Sequence, residues 1–166
     1  MSTLLTGEHR AWIGHKEPPL HVEVSRRDII KYSIATEQVL PKYLQGDEDP
    51  PMFIFNLFGT LRQVSEMRSD GLPRGSGEGS GSGEGSGSGR GGGPKLPLQR
   101  VMAGGTQLIV QRAIRPSDRL TGVHRIVDIY EKQGSQGPLI FTVRALHVTD
   151  AEGQPVLEEV QTGIAR

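Results

Sequence analysis

Five histidines and one run of three acids are the groups in this chain suited to moving a proton near neutral pH: His9, His15, His21, His124, His147 and Asp47-Glu48-Asp49. Imidazole is the side chain that titrates nearest neutrality, and general acid–base chemistry needs a second group within reach of the same proton. Position argues against that use for most of them. His9, His15 and His21 lie in a polar amino-terminal segment and read as surface residues. His124 and His147 fall inside strand-like runs, where a hydrogen-bonded sheet histidine is the expected arrangement. No histidine pair has the helical i, i+4 spacing with a nearby carboxylate that a metal needs, so no metal site is predicted. The three acids precede an apolar helical run and suit its positive end. The sharper alternative makes Asp47 or Asp49 a base. Gly104-Gly105 permits close approach of another backbone or of an extended ligand chain.

Composition removes several kinds of chemistry. The 166-residue chain has no cysteine, which excludes disulfides, thiolate nucleophiles and cysteine-ligated zinc or iron–sulfur centres. Nineteen basic residues balance 19 acidic ones without long runs of either sign, so no footprint for nucleic acid or an anionic membrane is present. Met1 to Arg10 lacks a signal-peptide core and no long apolar stretch occurs, from which a soluble, cytoplasmic protein is expected. The tract at residues 75–93, GSGEGSGSGEGSGSGRGGG, lacks the Lys-Ser/Thr ending and strand-to-helix setting of a phosphate loop.

The elements that must position any site are of mixed type. Ser25 and Asp28 have capping-box spacing, predicting a helix over about 26–37 with Ile30 and Ile34 on one face. Pro51 suits a first helical position, and the run Met52 to Met67, apolar on nearly all sides at its start, predicts a long buried helix with Gly59 inside it. A short strand is expected at His21–Val24. Four longer ones follow at Thr106–Ile114, Arg119–Glu131, Leu139–Thr149 and Val156–Ala165, as successive strands of an antiparallel meander. In the third run, Leu139, Phe141, Val143 and Ala145 share the expected apolar face, with Arg144 on the wetter side. Neither half buries a core alone. The fold class is therefore α+β, one domain over 1–166 with 75–93 as a flexible internal loop, whose length costs little in closure entropy.

A long apolar helix wrapped by an antiparallel sheet is the hotdog arrangement, and three stretches are similar to one family that has it. Val101–Leu120, Val127–Val143 and Val148–Val156 resemble the strands and turns of MaoC-like dehydratases, in particular the amino-terminal domain of the fatty-acid-synthase-like dehydratase group. The resemblance runs from about Ile13 to Arg166, with Ser117 where the family usually has glycine. It implies reversible hydration of an enoyl thioester, carried by coenzyme A or acyl carrier protein, with no further cofactor. The family's catalytic aspartate and histidine occur in a pattern like F-x-x-x-T-G-D-x-N-P-x-H. Laid on Tyr32–Tyr43, that pattern is met at Tyr32, Thr36 and Pro41, but Gln38 and Tyr43 replace the aspartate and the histidine and Leu40 the asparagine. Glutamine takes no proton at neutral pH, and tyrosine, with an ordinary pKa near 10, is a poor base there. The resemblance thus implies a non-catalytic half whose partner hotdog carries the acid–base pair, and a substrate pocket at Tyr43, Pro51, Met52, Phe53, Gly104, Gly105 and Thr106. Two alternatives stand beside it: an acyl-thioester-binding or scaffolding homodimer without chemistry, and a thioesterase.

Overall fold

The computed structural model describes residues 3–59, 63–66, 93–98 and 100–166. Of the loop predicted at 75–93, all but Gly93 lies outside the described residues. A short helix, α1 (Gly7–Arg10), leads to β1 (Leu20–Glu23), α2 (Arg26–Ala35), α3 (Pro41–Leu44) and α4 (Ile54–Phe58). After a 3-10 turn at Val64–Glu66 come four long strands: β2 (Val101–Val110), β3 (Arg119–Gly134), β4 (Gly137–Thr149) and β5 (Pro155–Ala165). All pair antiparallel in one sheet of order β1-β3-β4-β5-β2. No helix among the described residues is long and apolar enough to cross a membrane.

The strand order corrects the expected meander. β3, β4 and β5 do follow one another, but β2 crosses to the far edge and pairs with β5 rather than with β3. The bounds also shift: β2 begins at Val101 and ends at Val110, four residues short of Ile114. The expected 132–138 connector collapses to a tight hairpin in which Gly134 faces Gly137, and Gly137, just after the two loop residues, has a positive φ (128°) that side-chain-bearing residues rarely adopt.

Helix α2 starts where predicted. The Ser25 hydroxyl accepts from the Arg27 amide at 3.1 Å, and the inward face is Ile29 and Ser33 rather than Ile30 and Ile34; Ile34 is 64% exposed. The helix stops at Ala35 because the chain turns left-handed at Glu37 (φ 54°), the Gln38 amide donating back to Ser33 and the Glu37 amide to Ile34.

The predicted long helix over 52–67 is the largest correction. Residues 51–53 form a turn, with Met52 left-handed at φ 68°, and the helix is confined to Ile54–Phe58. Gly59 sits not inside the helix but at its end, in extended conformation (φ −67°, ψ 143°). A β-carbon at Gly59 would stand 2.5 Å from the Phe55 carbonyl oxygen, so the chain leaves the helix at a position open only to glycine. Residues 60–62 and 67 of the predicted helix lie outside the described residues.

On the sheet's inner face, α2 and α4 cover one apolar cluster built on Ile29, Phe53, Phe58, Leu120, Leu146 and Val148. A second cluster, at the β3–β4 hairpin end, joins Leu5, Ile126, Ile129, Ile140 and Ala165, covered by Trp12 and by Leu96 and Leu98. The predicted apolar face of β4 is inverted: Ile140, Thr142, Leu146 and Val148 are buried, and Arg144 shares their face. Apolar residues at consecutive positions left the pleat ambiguous, since a slip of one residue exchanges the faces. Ala145 is buried as well, while Phe141 stacks on Tyr130 on the other side, ring centroids 4.9 Å apart.

Candidate functional site

The segment that should carry acid–base chemistry begins at the end of α2 and runs through α3. Gln38 follows the left-handed Glu37, and its amide group donates to the Thr36 carbonyl at 3.4 Å and the Thr36 hydroxyl at 3.3 Å. Glu37 occupies the glycine position of the family pattern, and its positive φ is the conformation that glycine adopts without strain. Tyr43 lies on α3, half-buried, with the Lys42 ammonium 5.0 Å from its ring centre. Tyr32, at the family's phenylalanine position, packs edge to face on Phe53 with centroids 5.4 Å apart, and burial raises its pKa.

The acidic run is taken up by structural contacts. Asp47 pairs with Arg26, which also donates to the Gln45 carbonyl at 2.7 Å. Glu48 accepts from Lys42 at 2.8 Å and lies 3.6 Å from Arg115; the hydrogen bond from Lys42 is the main cause of its lowered pKa and of the raised pKa of Lys42. Asp49 is different. Its carboxylate accepts from the Ile114 amide at 2.8 Å while its own amide donates to the Ile114 carbonyl at 2.9 Å, pinning the turn before α4 to the segment that follows β2. Burial pushes its pKa up to about 6, against the backbone hydrogen bonds that pull it down.

The predicted pocket residues fall in two groups. Tyr43, Pro51 and Met52 lie around α3 and the turn before α4, with Pro51 and Met52 exposed and Phe53 wholly buried in the core. Gly104, Gly105 and Thr106 lie on β2, the far edge strand, where the pairing register with β5 shifts between Ala103 and Gly105. A β-carbon at Gly104 would stand 3.0 Å from Ile164 and 3.1 Å from the Thr162 carbonyl, whereas at Gly105 it would meet nothing within 4 Å. Only Gly104 is thus needed for close backbone approach.

The histidines hold the fold's edges. The His9 ring contacts the Thr6 amide at 2.9 Å and the Lys95 carbonyl at 3.1 Å, tying α1 to residues 93–98. His15 packs on Trp12, and His21 bonds the Thr121 hydroxyl at 3.0 Å. His147 is exposed on β4, but His124 is only 9% exposed on the inner face of β3. There it joins a buried polar band that separates the two apolar clusters: Thr142, Arg144, its register partner Gln161, and Glu159, which is 2% exposed. Arg144 lies beneath Gly93, where an added β-carbon would stand 2.5 Å from its guanidinium, and desolvation lowers its pKa against the nearby charge of Glu17. Sequence patterning missed this band because an arginine or glutamate in an antiparallel strand signals the wet face. Among the described residues, no group of three His, Asp or Glu could hold a metal ion.

With this architecture in view, the comparisons with known proteins are specific about fold. Among solved structures, the chain is similar to the ChsH1–ChsH2 complex of Mycobacterium tuberculosis, with TM-score 0.62, 14% identity, and coverage of 95% of this chain and 86% of that one. It is similar to a MaoC-like dehydratase from Phytophthora capsici at TM-score 0.59 and 14% identity, covering 98% of this chain and 49% of that one. It is also similar to the R-hydratase PhaJ1 of Pseudomonas aeruginosa at TM-score 0.54 and 14% identity, covering 92% and 81%. The chain is a hotdog-fold protein. Residues 85–159 match the family described as FAS1-like, dehydratase domain region. No curated protein sequence matches the chain.

Proposed function

We propose that this chain is the non-catalytic, pocket-forming half of a MaoC-like enoyl-thioester hydratase or 3-hydroxyacyl-thioester dehydratase, paired with a second hotdog that carries the aspartate and histidine. The observation that carries this is the pair Gln38 and Tyr43 at the two positions where the family keeps its acid–base groups. Nearby acids do not replace them, since Asp47 is held by Arg26 and Asp49 by the Ile114 amide. Hydration of an enoyl thioester needs a group to take a proton from water and another to deliver one to the α-carbon. This loop supplies neither. Its part in this reading is to form a wall, with Tyr43 half-buried on α3 and Pro51 and Met52 exposed in the turn before α4.

The partner requirement draws support from β2. Among the described residues the strand pairs with β5 alone, and Val101–Val110 contains no charged residue and no proline. Such an edge is a template for another strand. One of the similar structures is itself a complex of two differently named chains. The test is an assay with crotonyl-CoA. The purified chain alone gives no hydration, and mixing it with a hotdog bearing the intact aspartate–histidine pattern gives more activity than that hotdog has alone. Turnover by the chain alone, lowered by changing Asp47, Asp49 or His15, would overturn the proposal. Acyl-CoA binding without conversion in any mixture would favour the scaffolding homodimer.

A further inference from the structure

The amino-terminal segment and residues 93–98 together cover the second apolar cluster, and one histidine joins the two covers. Leu5 belongs to that cluster, with Leu4, Trp12, Leu96 and Leu98 packed against it. His9 stands at the third position of α1, where a capping box ordinarily places glutamate or glutamine to accept from the amide that precedes the helix. Here the imidazole takes that part. Its Nδ1 meets the Thr6 amide at 2.9 Å and the Thr6 hydroxyl at 2.8 Å, and its Nε2 lies 3.1 Å from the Lys95 carbonyl oxygen.

Those partners fix the protonation state of the ring. An amide N–H only donates, so Nδ1 must be bare; a carbonyl oxygen only accepts, so Nε2 must carry the hydrogen. One neutral tautomer satisfies both. A second proton would sit on Nδ1 and point at the Thr6 N–H. The Thr6 hydroxyl can turn to accept it, but the amide cannot, and it loses its acceptor. Nearby charge does not reverse this: Glu8 and Arg10 flank the ring on α1, Lys95 lies on the facing segment, and Asp128, Glu131 and Lys132 lie towards the hairpin end of β3. Acids and bases balance there, and the donor pattern sets the direction.

We infer that residues 3–12 form a strap that neutral His9 holds closed and that protonation of His9 opens, parting α1 from residues 93–98. The start of the strap keeps a tether, since one Glu131 carboxylate oxygen accepts from the Thr3 hydroxyl at 3.0 Å and the Leu4 amide at 2.9 Å. The strap therefore loosens in place rather than leaving the surface. An open groove of about 740 Å³ lies where it moves, lined by Thr3, Leu4 and Arg10 of the strap and by Tyr130, Gln133 and Pro138 of the hairpin strands. Acid widens this groove and loosens the cover over Leu5.

The test is amide hydrogen exchange followed by NMR on the full chain at about pH 7.5 and about pH 5, which spans the titration range of imidazole, with rates corrected for their intrinsic pH dependence. Protection of the Thr6 amide is expected to fall roughly three- to tenfold on acidification, as for loss of one hydrogen bond. The Val24 amide, bonded to the Asp118 carbonyl at 2.9 Å in another part of the fold, should show no fall. At the higher pH, nitrogen chemical shifts of the His9 ring should report hydrogen on Nε2. The Gln side chain of His9→Gln can accept from Thr6 and donate to Lys95 without titrating, so in that variant the pH dependence disappears with the strap closed. In His9→Ala it disappears with the strap open. Equal Thr6 protection at the two pH values in the parent, a matching fall at Val24, hydrogen on Nδ1 at the higher pH, or a pH dependence retained in either variant would each overturn the assignment.

Discussion

Asp49 carries the clearest consequence at the scale of a single residue. Its carboxyl is pushed up to about 6 from an ordinary 3.8, chiefly by burial. A folded-state pKa above the unfolded one means that the folded chain holds this proton more tightly. The stabilisation is therefore fully present below about pH 4, and is lost as pH rises through about 6. Asp49→Asn keeps an oxygen for the Ile114 amide and removes the buried charge. The variant is expected to be more stable than the parent at pH 7, with the advantage fading towards pH 4, in urea unfolding measured across that range. A stability difference that does not change with pH would show that the charge is not what matters there. Ser117 shows the same interplay of identity and environment. It stands where the family usually has glycine and adopts φ 70°, its amide donating to Val24 at 2.8 Å, so the turn keeps a left-handed geometry that serine adopts at a cost of roughly 1–2 kcal/mol.

At the scale of elements, α4 is held by a fit between one ring and one missing side chain. Phe58 lies on Gly122 of β3, where an added β-carbon would come within 2.5 Å of the ring. Gly122→Ala should destabilise the fold by about 1–3 kcal/mol through overpacking, read as a lower denaturant midpoint. Adding Phe58→Leu should recover part of the loss; simple additivity would mean that the two sites do not press on each other. Neither partner was visible beforehand, because Phe58 was assigned to a long helix and Gly122 to an ordinary strand. More of the pattern was legible where period and turn chemistry agree: Ser25 marked the start of α2, and β3, β4 and β5 lie within a few residues of their alternating runs. What failed depended on tertiary partners. The edge position of β2 is decided by a crossover that leaves no trace in its own residues, and the face of β4 by its neighbours' register. At the candidate site, Gln38 and Tyr43 are read from residue identity alone, as the replacements on which the proposed non-catalytic role rests. The buried band of His124, Arg144 and Glu159 was not legible in this way, since only the sheet brings those residues onto one inner face.

For the whole molecule, the two edges of the sheet differ, and the proposed pairing with a second hotdog rests on that difference. Residues 14–17 and β1 cover the outer edge of β3, with the Gly14 amide donating to Ile126 at 2.8 Å, while among the described residues β2 has no strand on its outer side. Met102 and Ile109 are each 42% exposed on that open edge. Changing both to lysine should convert a dimer to a monomer in analytical ultracentrifugation, without lowering the unfolding midpoint of the separated subunit. A parent chain already monomeric at concentrations of tens of micromolar, with and without a hotdog partner, would remove β2 as an interface. The cluster at the hairpin end has a different consequence, one of timing. It packs Leu5 together with Ala165, so almost the full length of the chain separates two residues of one apolar patch. During synthesis Leu5 has no partner in this patch until β3 and β4 are made, more than a hundred residues later, and chains are extended at only ~5–20 residues per second. In refolding from denaturant, closing this patch should be a late event, after β3, β4 and β5 have zipped through their short hairpins.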